Sequence, residues 1–252
     1  MSVRSNGAGD QLSVSSAIGI GTGAVSVGFW HKIITARGVN TELMDLCDVT
    51  PTGAVNFSVN SDSIGTEIHV QSAAAGYYED TVGTRPVLTV GTWYWLVASR
   101  SGSTIRLRVF DDSTSTTPVW EVSGDDAAQT LSGAVIAILG PAYAPSGEWC
   151  DAEYANFKIH VGVAWTNAQC RTESQTKGIQ TAGGTKYGSW RLRDIDADTD
   201  GINDFEGSRN LTNSGFVNGA SEPLQLSPRE EEYDHLLHLR REWPQNTVTV
   251  WL

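Results

Sequence analysis

Three carboxylates stand close together in GEWCDAEYANFKIHVGVAWT, residues 147–166: Glu148, Asp151 and Glu153. Acids this close can work on a glycosidic bond, one carboxyl protonating the leaving oxygen while another attacks or activates water. The alternating apolar run behind them predicts a strand over Tyr154–Val161. On a regular strand Asp151 and Glu153 share a face with α-carbons roughly 7 Å apart, whereas Glu148 and Asp151 differ in parity. Glu148 also follows Pro145-Ser146-Gly147, which reads as a turn. If the chain is an enzyme, Asp151 and Glu153 are its pair. The expected reading is plainer: solvated charges at a strand end.

A second acidic set lies in DIDADTDGINDFEG, where Asp196, Asp198, Asp200 and Asp204 surround Gly201. Alternate Asp side chains converge on a hard cation such as Ca²⁺, and a glycine permits the turn between them. The spacing resembles the calcium loops of EF-hands and thrombospondin type-3 repeats. The twelfth position from Asp196 is Gly207 rather than Glu, so Glu206 would have to supply the bidentate ligand. The competing reading is a solvated Asp-rich turn.

Sugar sites combine exposed rings for the apolar C–H face with polar groups for the hydroxyls. Tyr77 and Tyr78 in AAAGYYED, and Tyr143 and Trp149 in GPAYAPSGEW, occupy turn-like segments and are the candidate carbohydrate-binding residues, against packing under loops. The five histidines are scattered, and no Ser-His-Asp arrangement, phosphate-binding glycine loop or redox pair is readable.

The elements that must position these residues are strands. Short runs rich in Val, Ile and Trp recur at Gln11–Val14, Ala24–Ile34, Val55–Val59, Glu67–Gln71, Thr92–Ser99, Thr104–Phe110 and Ala134–Leu139, each bounded by Gly, Pro, Asn, Asp or Ser. In IRLRVF, Ile105, Leu107 and Val109 share one face and Arg106 and Arg108 the other. A short helix is expected near 166–173 with Thr166 as its N-cap, followed by a strand over 187–192. The class is all-β, a two-sheet antiparallel sandwich. After Gly219 the chain changes character: Pro228 to Trp243 reads as an amphipathic helix and TVTVWL, residues 247–252, as a strand that must pair with something. The expected organisation is a main domain over 1–220 and a helix-plus-strand arm over 221–252.

A net charge of −12 argues against nucleic acid or an anionic membrane surface as the main partner. Three cysteines without zinc spacing point to reduced thiols. The first residues lack the apolar stretch of a secretory signal, so synthesis in the cytoplasm without export by that route is expected.

Four segments in order, GAGDQLSVSSAIGIGTGAVSVGFW, TVGTWYWLVASRSGSTIRLRVF, ANFKIHVGVAWTNAQ and KYGSWRLRD with the following DTDGINDFEGSRNLTNSG, resemble the concanavalin A-like lectin/glucanase superfamily in its laminin G-like branch. Trp30, Trp93, Trp95, Trp165 and Trp190 coincide with strand positions of the family that the chain resembles in these segments and are assigned to the core. The resemblance covers about residues 8–220 and implies a jelly-roll sandwich whose curved face or rim loops hold sugars in relatives that bind them. It also hosts laminarinase-type hydrolases, whose E-x-D-x-E or E-x-D-x-x-E pattern the spacing here breaks. A lectin-like fold without a signal peptide poses a contradiction that assembly into a particle released by lysis resolves. The expectation is therefore a non-catalytic virion decoration or fibre subunit of a phage, displayed on the virion surface, with a glycan-binding domain and homo-oligomeric or virion contacts through 221–252. A laminarinase-type hydrolase and a calcium-dependent lectin stay open as alternatives.

Overall fold

A computed structural model describes residues 2–7, 10–21, 23–38, 41–48, 55–61, 67–74, 86–125, 135–140, 149–176, 178–192, 209, 211–220 and 223. They form two antiparallel sheets and one helix. The strands are β1 (Val3–Ser5), β2 (Gln11–Ile18), β3 (Val25–Thr35), β4 (Thr41–Asp48), β5 (Val55–Ser61), β6 (Ile68–Ala74), β7 (Tyr94–Ser101), β8 (Thr104–Asp111), β9 (Trp120–Asp125), β10 (Val135–Leu139), β11 (Asp151–Val161), β12 (Thr185–Trp190), β13 (Thr212–Ser214) and β14 (Val217–Asn218); the helix is α1 (Asn167–Gln175). The eight-stranded sheet runs β14-β1-β11-β3-β7-β8-β9 with β12 also on β11, and the six-stranded sheet runs β13-β2-β10-β4-β5-β6.

Period-two alternation sets the main core between the sheets. Val25, Val27, Phe29 and Ile33 of β3, Leu96 and Ala98 of β7, and Ile105, Leu107 and Val109 of β8 face Leu12, Val14, Met44, Leu46, Phe57 and Val59 of the other sheet. β11 needs a correction to simple alternation. Asn156 adopts a left-handed φ of 50°, and the register with β3 shifts between Ala155 and Lys158. That bulge moves the inward set from Ala152 and Tyr154 to Phe157 and Ile159, and it divides β11 between two partners, β1 upstream and β12 downstream.

One side of the sandwich is strapped by the chain itself. Residues 212–218 pass from the edge of the six-stranded sheet to the edge of the eight-stranded one. Gly215, at φ 97°, makes the turn, and a Cβ there would lie 2.1 Å from the Asp10 carboxylate. Phe216 is thereby driven inward against Tyr154, with ring centroids 5.6 Å apart.

The eight-stranded sheet also has a second, outer core. Trp30, Trp95, Val97, Phe110 and Ala155 project outward and are covered by Trp165 and Cys170 of the α1 segment. Gly28 makes room for this layer, since a Cβ there would stand 2.5 Å from the Trp95 ring. α1 begins where the sequence places it: the Thr166 hydroxyl accepts from Gln169 N–H and the Gln169 side chain accepts from Thr166 N–H, a complete capping box.

Candidate binding site

The acids of β11 are structural. Asp151 Oδ1 takes Arg4 Nε and Nη2 at 3.0 and 2.9 Å. Glu153 is not the solvated strand-end charge expected from the sequence, for it is 1% exposed. Strand register is the reason: Arg4 of β1 and Lys32 of β3 are its direct partners on either side. Lys32 Nζ lies 2.5 Å from Glu153 Oε2 and over the Trp93 ring, while Glu153 Oε1 accepts from Ala220 N–H at 2.8 Å. The two acids thus hold β1, β3 and the 219–220 segment to β11. Glu148 lies outside the described residues.

The outward face of the eight-stranded sheet is closed over by polar anchoring as well as by apolar packing. Lys158 Nζ donates to Glu173 Oε2, Thr176 Oγ1 and Gly178 O at 2.9, 2.8 and 2.8 Å, so each ammonium proton has an acceptor. Glu173 Oε1 accepts from Gln180 N–H, Thr181 N–H and the Thr181 hydroxyl. The indole N–H of Trp30 donates to Ser174 O, and Arg108 donates to Trp165 O. The His160 ring accepts from Trp165 Nε1 at Nδ1 and donates from Nε2 to Gly183 O, which fixes the neutral Nε2–H tautomer. No ligand-sized opening is needed to account for any of these groups.

The six-stranded sheet turns a different chemistry outward. Because Met44 and Leu46 pair in register with Val59 and Phe57 on the core side, Asp45, Ser58 and Asn60 alternate to the other side, where they too are buried. Asn60 Nδ2 donates to Ser58 Oγ at 2.9 Å, and Asp45 is the register partner of Ser58. On β2, Ser13 sits outward between the core residues Leu12 and Val14. The sequence reading missed β4 entirely. Its alternation is broken by a bulge between Glu42 and Met44 that buries both Leu43 and Met44.

At the rim, Trp149 is partly exposed just ahead of β11. The Arg37 guanidinium stacks on its ring at 3.6 Å from the centroid and donates to its carbonyl at 3.2 Å. Tyr77, Tyr78 and Tyr143 lie outside the described residues, as do Asp196, Asp198, Asp200 and Asp204. Among the described residues, no group of three His, Cys, Asp or Glu is placed to hold a metal. Burial pushes the Cys150 and Cys170 thiols up to about 12 and the His31 imidazole down to about 3, so none of the three is poised for nucleophilic or acid–base work near neutral pH.

No family model matches the chain, and no curated protein matches it in sequence. Solved structures do match. The native heptameric SAP-like pentraxin from Limulus polyphemus superposes with a TM-score of 0.53 at 14% identity, over 86% of this chain and 92% of that one. The fold is a two-sheet antiparallel jelly roll. The same jelly roll matches part of the full extracellular region of zebrafish Gpr126/Adgrg6, with a TM-score of 0.53 at 14% identity over 87% of this chain and only 26% of that one. Domain 4 of AbnA, an extracellular arabinanase from Geobacillus stearothermophilus solved with arabinotriose, aligns at 15% identity over 63% of this chain and 68% of that one, with a TM-score of 0.46.

Proposed function

We propose that this jelly roll is a non-catalytic binding protein that takes glycans at the rim of the sandwich beside Trp149. The observation that carries the reading is the partly exposed Trp149 ring, stacked by the Arg37 guanidinium at 3.6 Å from its centroid. The outward sheet faces are both occupied, one roofed by α1 over a tryptophan-rich second core and the other carrying Asp45, Ser58 and Asn60 in buried positions, which leaves the rim as the place for a ligand. Trp149, oriented by Arg37, supplies an aromatic surface at the rim for the apolar C–H face of a sugar. The non-catalytic part rests on Asp151 and Glu153, both engaged by cations.

In this proposal the protein assembles through residues 221–252 as a decoration or fibre subunit of a virion and displays the jelly roll on the particle surface. The acidic, Gly- and Thr-rich domain and the β-prone 247–252 segment support it. Calcium in the 196–204 loop belongs to the same proposal and rests on the Asp spacing.

Affinity electrophoresis through gels containing single polysaccharides tests the binding claim. Retardation by at least one polysaccharide is expected, weakened roughly three- to tenfold by Trp149→Ala. Unretarded migration across neutral and acidic polysaccharides would remove it.

A further inference from the structure

We infer that residues 212–218 are an acid-sensitive strap, which opens when His31, enclosed behind it, takes up a proton.

His31 is a polar side chain enclosed without a polar partner. It is 0% exposed, and neither Nδ1 nor Nε2 has a hydrogen-bond partner. Its place follows from register: on β3 it alternates inward with Phe29 and Ile33, paired with Tyr154 of β11 on one side and Tyr94 of β7 on the other. The Phe29 ring stands edge-on to it at 6.3 Å, and the Tyr154 ring lies 5.0 Å away.

Nothing around the imidazole offsets a positive charge. The titratable groups facing it from the adjacent strands are two phenols. The Tyr94 hydroxyl accepts from Thr89 N–H at 3.4 Å, and the Tyr154 hydroxyl is buried without a partner, its pKa raised by that burial. Cys150, near Tyr154, is a neutral thiol. On the opposing sheet, Met44, Leu46, Phe57 and Val59 face inward, with the Thr41–Ser61 hydroxyl pair beyond them. On the strap's side Asp10 lies against the turn at Gly215, its Oδ2 accepting from Asn6 and Gly7 N–H at 2.8 Å each. A proton on His31 therefore requires water.

The strap is where water has least to displace. β13 is three residues, all exposed, and β14 is two. Between them Phe216, 3% exposed, is set against Tyr154 at 5.6 Å, and Tyr154 covers His31 in turn. Lifting Phe216 uncovers the Tyr154 hydroxyl and opens the way to the imidazole. On its other side His31 is fenced by β7 and β8, paired along their full eight residues. Short segments with exposed backbone open at lower cost than strands of that length. The enclosed imidazole stays neutral down to about pH 3, whereas a hydrated one binds a proton below about pH 6.5. Each pH unit below 6.5 thus favours the opened form about tenfold, until the enclosed form titrates as well.

Hydrogen exchange of the full chain tests the inference. After correction for intrinsic exchange rates, protection of the amides of 212–219, Gly219 N–H on Ser2 O included, is expected to fall about thirtyfold between pH 7.5 and pH 5.0. It should stay constant in His31→Leu, and His31→Phe, which keeps an aromatic ring, repeats the comparison. The strap amides should also exchange faster than those of β7 and β8 at both pH values. In wild type alone, strap protection indifferent to pH overturns the inference, because opening then leaves His31 enclosed. Strap protection equal to that of β7 and β8 overturns it too, because that is global unfolding. A fall that persists without His31, or that Asp10→Asn abolishes, assigns the response to another group and overturns it.

Discussion

Lys32 Nζ and Glu153 Oε2 sit 2.5 Å apart on adjacent strands, with side chains 11% and 2% exposed. The other Glu153 oxygen receives the Ala220 N–H, so the acid with the most catalytic look in the sequence is a clasp between β3, β11 and the segment after β14. Glu153→Gln keeps the shape but strands a buried ammonium. It is expected to lower stability by about 3–5 kcal/mol, with Lys32→Met on the same background recovering part of the loss. Denaturant unfolding of the single and double variants reads this.

Lys158 and Glu173 form a fully buried pair that locks the roof over the outer core. Removing one member leaves the other charged and desolvated, so Lys158→Met and Glu173→Gln should each destabilise by about 3 kcal/mol or more. The double variant should lose clearly less than the sum of the two. An additive result in this double-mutant cycle would show that the two groups do not act on each other.

His31 is wholly buried beside Tyr154, with ring centroids 5.0 Å apart, and burial drives its pKa down to about 3. The unfolded chain takes up a proton near pH 6.5 while the folded chain does not. Stability is therefore intact above about pH 6.5 and is lost as pH falls toward 3, by about 1.4 kcal/mol per pH unit from this group. His31→Leu should flatten the dependence between pH 6.5 and 4.5, where most carboxylates remain ionised. Unchanged slopes in unfolding curves at pH 6.5, 5.5 and 4.5 would count against it.

Calcium is expected to raise the melting temperature through Asp196, Asp198, Asp200 and Asp204. Ligand at a hundredfold excess over its Kd stabilises by about 2.7 kcal/mol. Replacing Asp198 and Asp200 by Asn should abolish the shift. A melting temperature indifferent to excess Ca²⁺ and to chelator would remove the metal.

The sequence carried much of this architecture, because its clearest strands alternate cleanly. IRLRVF is buried on one face as expected, with Ile105, Leu107 and Val109 in the main core. Trp30, Trp93, Trp95, Trp165 and Trp190 are all interior. The strands that escaped notice each lack that pattern: β1, β13 and β14 are two or three residues long, WEVSGD of β9 is an acidic edge, and β4 hides its period behind a bulge. The outward polar row of the six-stranded sheet was illegible for the same reason, since Asp45 stands on β4. The burial of Glu153 was invisible because it depends on cross-strand partners Arg4 and Lys32, distant in sequence and joined only by sheet register.

The central claim is binding without turnover, and titration calorimetry of the full chain against a panel of polysaccharides reads both at once. The account predicts heats that saturate and return to baseline for at least one polysaccharide. Sustained heat flow from hydrolysis, abolished by Glu153→Gln in a protein that remains folded, would contradict it.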